Sequence, residues 1–405
     1  MIYKRMSGVI FIYITMFMFL SLGLGNFLIN YISVDFVNII LFMSCFLMFA
    51  FGALVGERVN FFIVNKIPIR LITIIKISIW SSFIGTVACW YYNIKYWGSI
   101  SYILSHAMLI RDSMIGGNAD FIPTIWSYLA SFSYLALICS LFLFDKNNNG
   151  VKKKKKIIYC TCSFILVILL DMIYFGRIGA VFSFLTIFAY IVTFFPLSKI
   201  FNKKTFLLFI VVIALVNAPR IIRGGGDLFL ASVDDKIKSI NVPVNIYTAG
   251  PIINYIYYFS SPYSFNQWME KDFNTTEFTY GSRTFTPFYN ILSKLYGNER
   301  VVIIDENAYI PFRHNIFSVV KDYYSDFGFW GVILIPFTIG LICGKSIKSF
   351  YLTARLSKID YSYGILGVFF LSYILYSPLY NILSFGKFFI PLVMILFLSI
   401  LFRVK

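Results

Sequence analysis

Histidine is almost missing from this chain: His106 and His314 are the only two in 405 residues. Cys160 and Cys162 have no further ligands spaced around them, so no metal-binding motif can be assembled from the sequence. The acidic pair Asp234–Asp235 is flanked by Lys236 and Lys238, which suits a solvated turn better than a divalent ion. No catalytic metal and no other cofactor is therefore expected. Charge is scarce too, at 13% of residues, where a soluble domain carries about 25%. That scarcity excludes a soluble globular protein. The six cysteines (Cys45, Cys89, Cys139, Cys160, Cys162, Cys343) all fall in apolar runs. A disulfide-stapled external domain is excluded with them.

What the chain has instead is 59% hydrophobic residues and a net charge of +17. The charge does not point to nucleic acid. The densest basic run, "DKNNNGVKKKKK", lies between two apolar spans, and the aromatics sit in the spans rather than among the lysines. Apolar runs of membrane-crossing length fall at about 8–25, 36–55, 71–90, 123–144, 157–175, 178–196, 205–219, 327–345, 361–380 and 386–402. The expected fold is all-α and polytopic, with about ten transmembrane helices and at most about twelve. The first run is long and has no small-residue cleavage site after it, so it reads as an uncleaved span rather than a signal peptide.

Orientation follows from the basic segments. With the N-terminus inside, residues 1–8, 57–70, 145–156, 197–204, 345–360 and 403–405 all face the cytoplasm, and each carries lysine or arginine. The chain then divides into an N-terminal bundle (1–219), a large, partly helical external loop (220–326) and C-terminal helices (327–405). An external stretch, 91–121, has the Tyr, Trp, Ile and Leu spacing of an amphipathic segment lying along the interface. A structureless loop of the length of 220–326 is unusual without a function.

The candidate chemistry lies on the external side. "YFGRIGAVF" places Arg177 between Gly176 and Gly179 at the tip of a tight hairpin, against the positive-inside trend. Asp171, inside the preceding span, is an expected partner for it; a pairing of Asp171 with the intramembrane Lys76 is the other reading. The large loop opens "APRIIRGGGD" with Arg220 and Arg223, continues through "TYGSRTFTPFYN" with Tyr280 and Arg283, and closes "YIPFRHNIFSVVKDYYSDFGFWG". The last stretch holds Arg313, His314, Asn315, Tyr323, Tyr324 and Asp326. Several arginines on one external face suit a lipid-linked diphosphate, because the guanidinium fork matches phosphate oxygens. Anionic lipid head groups are the other ligand they fit. His314 is a candidate general base.

Three of these places carry a resemblance: "YFGRIG", "TYGSRTFTPFYNILSKL" and "RHNIFSVVKDYYSDFGFWGVILIPFTIGLICG". Together they resemble the bacterial oligosaccharide repeat-unit polymerases, the O-antigen polymerase (Wzy) class of membrane glycosyltransferases of the C type. The resemblance implies an inner-membrane enzyme of surface-polysaccharide or lipopolysaccharide biosynthesis. Its substrates would be undecaprenyl-diphosphate-linked glycans, and its companions a chain-length regulator and a separate flippase. It implies catalytic roles for Arg177, Arg283 and Asp326, and substrate contact by Asn315. His314 falls in no motif of the family that matches residue by residue. Tyr280, Phe285, Tyr289, Tyr323 and Tyr324 are the rings available to stack on sugars, with packing in the core as their default reading, and Arg220 and Arg223 are further diphosphate contacts. A flippase for lipid-linked oligosaccharides is the competing class. Flippases usually scatter charge through many spans, whereas this chain concentrates it in one loop.

The orientation is testable by cysteine labelling at two positions. Asn274 should react with an impermeant thiol reagent in intact cells and Asn148 should not; the reverse pattern would invert the topology.

Overall fold

The computed structural model describes residues 5–25, 34–59, 71–115, 121–145, 151–195, 252, 255–256, 258–272, 277–297, 308–309, 313–314, 316–355 and 360–401. Helix α1 (Met6–Met18) continues through a π-helical turn at Phe19–Gly23. Next come α2 (Phe36–Arg58), α3 (Leu71–Trp97), the short α4 (Ile100–Ser105) and α5 (Ala107–Ile115), and α6 (Thr124–Leu141). A tight hairpin follows, α7 (Lys153–Ile173) and α8 (Ile178–Phe194). The later segments are α9 (Ser261–Asp272), α10 (Thr286–Tyr296), α11 (Ser318–Arg355), α12 (Tyr361–Tyr376) and α13 (Gly386–Leu401). A two-residue antiparallel pair, Ala308–Tyr309 with Arg313–His314, precedes α11.

Six of these helices are long and apolar enough to cross a membrane, and three shorter apolar ones (α8, α12, α13) accompany them. Their outer faces carry large apolar side chains, such as Phe11 (53% exposed), Trp80 (64%) and Trp330 (65%). Water would not tolerate that surface and lipid does, so this is a transmembrane protein. Nine of the ten expected spans fall on these helices; the run at about 205–219 lies outside the described residues. All six cysteines are unpaired. The expected interfacial stretch begins later than its sequence suggests. Helix α3 runs unbroken to Trp97, and the chain turns only at Gly98 (φ 95°) before α4 and α5.

The tightest contact in the bundle joins α2 to α11. A Cβ added at Gly52 would lie 2.0 Å from the Phe337 carbonyl oxygen, and one at Gly56 2.2 Å from that of Leu341. The reverse holds for Gly340 against Phe49 (2.1 Å) and Gly344 against Ala53 (2.2 Å). Two Gly-x-x-x-Gly stripes therefore face each other and bring the helix backbones into contact. Dispersion between close backbones drives helix association where lipid removes the hydrophobic difference. A smaller version joins α3 to α6, where Gly85 meets the Ala130 amide and Ser82 Oγ donates to the Ala130 carbonyl at 2.9 Å.

Polar groups close both ends of the bundle. At the lysine-rich end Glu57 accepts from the backbone N–H groups of Met6 and Ser7 and from Ser7 Oγ. These are orphan donors at the start of α1. Tyr351 there donates to the Thr193 carbonyl at 2.7 Å. At the opposite end Asn266 Oδ1 accepts from the Asp35 amide and from Asn38 Nδ2, which fastens α9 to the head of α2. Helix α11 is sharply bent at Gly328 (φ 59°, ψ −145°), a conformation open essentially only to glycine. The bend splits off a short outer helix, Ser318–Phe327, from the long apolar stretch.

The glycine contact yields a stability prediction. Gly52→Leu or Gly340→Leu should force α2 and α11 apart and lower the thermal midpoint of the purified protein. Gly8→Leu, which meets no neighbour within 4 Å, should leave it unchanged. Equal midpoints for all three would show that the close crossing contributes nothing.

Candidate functional site

The end of the bundle opposite the lysine-rich segments gathers two arginine-bearing turns. The first joins α7 to α8, with only Tyr174–Arg177 to reverse the chain. A turn made by Gly176 and Gly179 is not what forms. The left-handed residue is Phe175 (φ 44°), a conformation that costs a residue with a side chain roughly 1–2 kcal/mol. Two contacts offset the cost. The Phe175 ring is buried, and its carbonyl accepts from Nη1 of Arg111, on α5, at 2.9 Å. Gly179 has a different purpose: a Cβ there would lie 1.9 Å from the Tyr134 hydroxyl and 2.6 Å from Asp171 Oδ1. Its absence lets both approach the start of α8.

Asp171, 2% exposed, is the hub of this turn. Its backbone carbonyl accepts from the Gly176 amide at 2.9 Å, and Oδ2 accepts from the Ala180 amide at 2.7 Å. The carboxylate thus satisfies a donor at the N-terminus of α8, where the helix dipole also favours a negative charge. Oδ1 accepts from Lys387 Nζ, on α13, at 2.9 Å. Neither expected ion pair forms: Asp171 pairs with Lys387 rather than with Arg177 or Lys76. Lys76 points outward from α3, where its long stem can carry the charge toward the interface. Arg177 is half-buried at the N-cap position of α8. Its charge reaches the hydroxyls of Tyr258 and Tyr376. Burial pushes the Tyr258 hydroxyl above its ordinary value and the Arg177 charge pulls it back.

The second turn, Thr279–Phe285, carries Arg283. Tyr280 (φ 46°) and Gly281 (φ 92°) reverse the chain. Its first residues pair with the end of the outer helix: the Thr279 amide donates to the Ser325 carbonyl at 3.0 Å and the Tyr280 amide to that of Asp326 at 3.2 Å. The Asp326 carboxylate, fully buried, accepts from the Arg283 amide at 3.1 Å, the Thr284 amide at 2.7 Å and the Thr279 hydroxyl. Three donors aimed at one carboxylate hold the turn closed. Asp326, expected to have a catalytic role, is in this structure buried and shapes the loop that carries Arg283.

The aromatic candidates separate in the same way. Tyr280 is 70% exposed, beyond the turn. Tyr324 is half-buried and edge-on to Trp268. Tyr323 is fully buried and shares a hydrogen bond with the Tyr373 hydroxyl, so its ring packs in the core. One turn before Tyr324, Lys321 is buried with Nζ over the Phe317 ring at 3.9 Å and the Trp268 ring at 5.6 Å, a cation–π arrangement. Arg220, Arg223 and Asn315 lie outside the described residues, and of Arg313 and His314 only the backbone is described. His106 is exposed and stacks on Tyr102. Among the described residues no three of His, Cys, Asp and Glu gather to hold a metal ion.

Arg111 and Lys387 are contributors that the sequence reasoning passed over. Lys387 stands second in an otherwise apolar run, the same signal that marked Asp171. Arg111 was hidden among polar neighbours. The arrangement offers permanent cations on two turns whose backbones are fixed by buried carboxylates, a preorganised setting for an anion. Searches against protein-family models, curated proteins and solved structures match this chain to no protein.

The Asp171–Lys387 pair predicts a large stability effect. Removing one partner of a buried pair typically costs about 3–5 kcal/mol. Asp171→Asn and Lys387→Met should each lower the thermal midpoint in detergent well below that of Lys387→Arg, which keeps the charge. Midpoints equal to wild type would show that the pair is not formed.

Proposed function

We propose that this protein polymerises oligosaccharide repeat units carried on undecaprenyl diphosphate, at the periplasmic face of a bacterial inner membrane. Both termini are cytoplasmic in this reading. The acceptor hydroxyl of one lipid-linked unit attacks the anomeric carbon of the growing chain on another. The glycosyl–phosphate bond breaks and undecaprenyl diphosphate leaves with the electron pair. Negative charge grows on the departing diphosphate, and Arg177 and Arg283 stabilise it through charge-assisted hydrogen bonds. Asp171 and Asp326 act one step back, fixing the turns from which those guanidinium groups project. His314 is the candidate to take the acceptor's proton. Tyr280 is the most accessible of the candidate rings for a sugar.

The observation that carries this reading is the placement of two arginine-bearing turns at the same end of the bundle, each built around a buried carboxylate. A flippase must expose its polar path to both sides in turn, and these two anchored cations serve one side only.

Neutralising one such arginine removes a bond worth roughly 1.5–3 kcal/mol. If it strengthens in the transition state, turnover falls about ten- to a hundredfold. Arg177→Ala and Arg283→Ala should reach normal membrane abundance yet yield glycan one unit long. Arg177→Lys should recover part of the chain length, keeping charge but losing the fork. Full-length glycan from Arg177→Ala at normal abundance would refute the role, and complete loss of surface glycan in a deletion strain would point to the flippase instead.

A further inference from the structure

The two arginine-bearing turns come from distant parts of the sequence, yet one short connection and the first turn of the helix after it reach both. It links α12 to α13 across residues 377–385 and includes a 3-10 turn at Ile382–Ser384. Asn381, 2% exposed, stands at the head of that turn. Its Oδ1 accepts from the Leu383 amide at 3.2 Å and from the Tyr373 hydroxyl at 3.1 Å. Both partners are donors to that atom, so the amide has one orientation and Nδ2 must point the other way. There it donates to the Thr284 carbonyl at 3.3 Å, beside Arg283.

The proton order along the chain follows. The Tyr373 hydroxyl spends its hydrogen on Asn381, so the bond between the two tyrosines must be donated by Tyr323. Tyr323 lies on the outer helix, one turn before Asp326, whose carboxylate accepts from the Thr284 amide at 2.7 Å. The links Tyr323–Tyr373–Asn381–Thr284–Asp326 therefore close into a ring through the outer helix. All five residues are buried. Buried hydrogen bonds of this kind rigidify what they join; Thr284 takes part through its backbone N–H and C=O, while its buried hydroxyl has no partner. A second fixed point is the Val319 amide, which donates to the Ser377 carbonyl at 3.0 Å. At its far end the same connection delivers Lys387 to Asp171, whose other oxygen holds the Ala180 amide next to the Arg177 turn.

We propose that the α12–α13 connection is the gauge that sets the spacing between Arg177 and Arg283, with Asn381 and Lys387 as its positioning residues. The ligand to which the spacing is matched is the diphosphate of the lipid-linked glycan, and that part rests on the polymerase reading above. Neither Asn381 nor Lys387 needs to touch substrate for this. Each acts through the backbone of a turn, one by its amide and one through a carboxylate.

The spacing can be read directly, without activity. In protein whose native cysteines are replaced, spin labels are placed at Gly176→Cys, where an added Cβ meets only the Asp171 carbonyl at 3.9 Å, and at the exposed Tyr280→Cys. Electron–electron distance measurement should give one narrow population. Asn381→Leu and Lys387→Met should each shift and broaden it. Lys387→Arg should restore it, and Thr338→Ala, on the outer face of α11, should leave it alone. If Asn381→Leu does not fold, Tyr373→Phe removes one link of the ring and should broaden the population to a lesser degree. An unchanged distance in every variant overturns the proposal, even where glycan chains shorten. A shifted distance with shortened glycan in the unlabelled variants supports it together with the polymerase reading. A shifted distance with full-length glycan keeps the gauge and overturns the arginine pair's part in polymerisation.

Discussion

The close crossing of α2 and α11 is the constraint from which the candidate site hangs. In lipid, burying another leucine gains little, because the tails are as apolar as the side chain. Backbone proximity is what remains, and Gly52, Gly56, Gly340 and Gly344 supply it by having no side chain to hold the helices apart. Once α11 is fixed against α2, its bend at Gly328 aims the outer helix across the end of the bundle. The outer helix brings Asp326, and Asp326 folds the turn that presents Arg283. A chain of dependence thus runs from four glycines in the apolar interior to a cation at its rim.

Carboxylates serve this molecule in a particular way. Asp171, Asp326 and Glu57 are all nearly or fully buried, and each accepts from backbone N–H groups of a segment distant from or following it in the chain. A buried carboxylate without donors would be costly. With amides aimed at it, the same group becomes a clamp for chain direction. Acids are few in this sequence, and these three are placed where a turn or a helix start has donors left over.

The sequence was most legible where hydropathy decides. The spans from 8–25 to 157–175 and from 327–345 onward lie on helices because a run of apolar residues of that length has few other stable arrangements in lipid. Asp171 was legible as a charge needing a partner, but the partner was not. Lys387 is far away in sequence, and the nearby Arg177 and the equally intramembrane Lys76 were the obvious choices. Gly52-x-x-x-Gly56 and Gly340-x-x-x-Gly344 were readable spacings that only the fold joins. Phe175 could not have been found at all: a left-handed phenylalanine between Tyr174 and Gly176 is settled by burial of its ring and by Arg111, both tertiary. The burial of Asp326 and Tyr323 was hidden for a related reason. Residue type does not say which side of a bent helix meets the core.

The contact of Glu57 with the head of α1 has a consequence for how the chain is made. An acid in the last turn of α2 opposes that helix's dipole, and inside an apolar segment it is costly when alone. At the start of α1, the same charge meets two unsatisfied amides and the Ser7 hydroxyl. Neither helix is at ease until the other is present. During synthesis, therefore, the first helix should wait, loosely held, until the end of the second leaves the ribosome, and the pair should enter the membrane as one closed hairpin. The pairing of these two helices is set by a single glutamate, 50 residues beyond the Ser7 amide it meets.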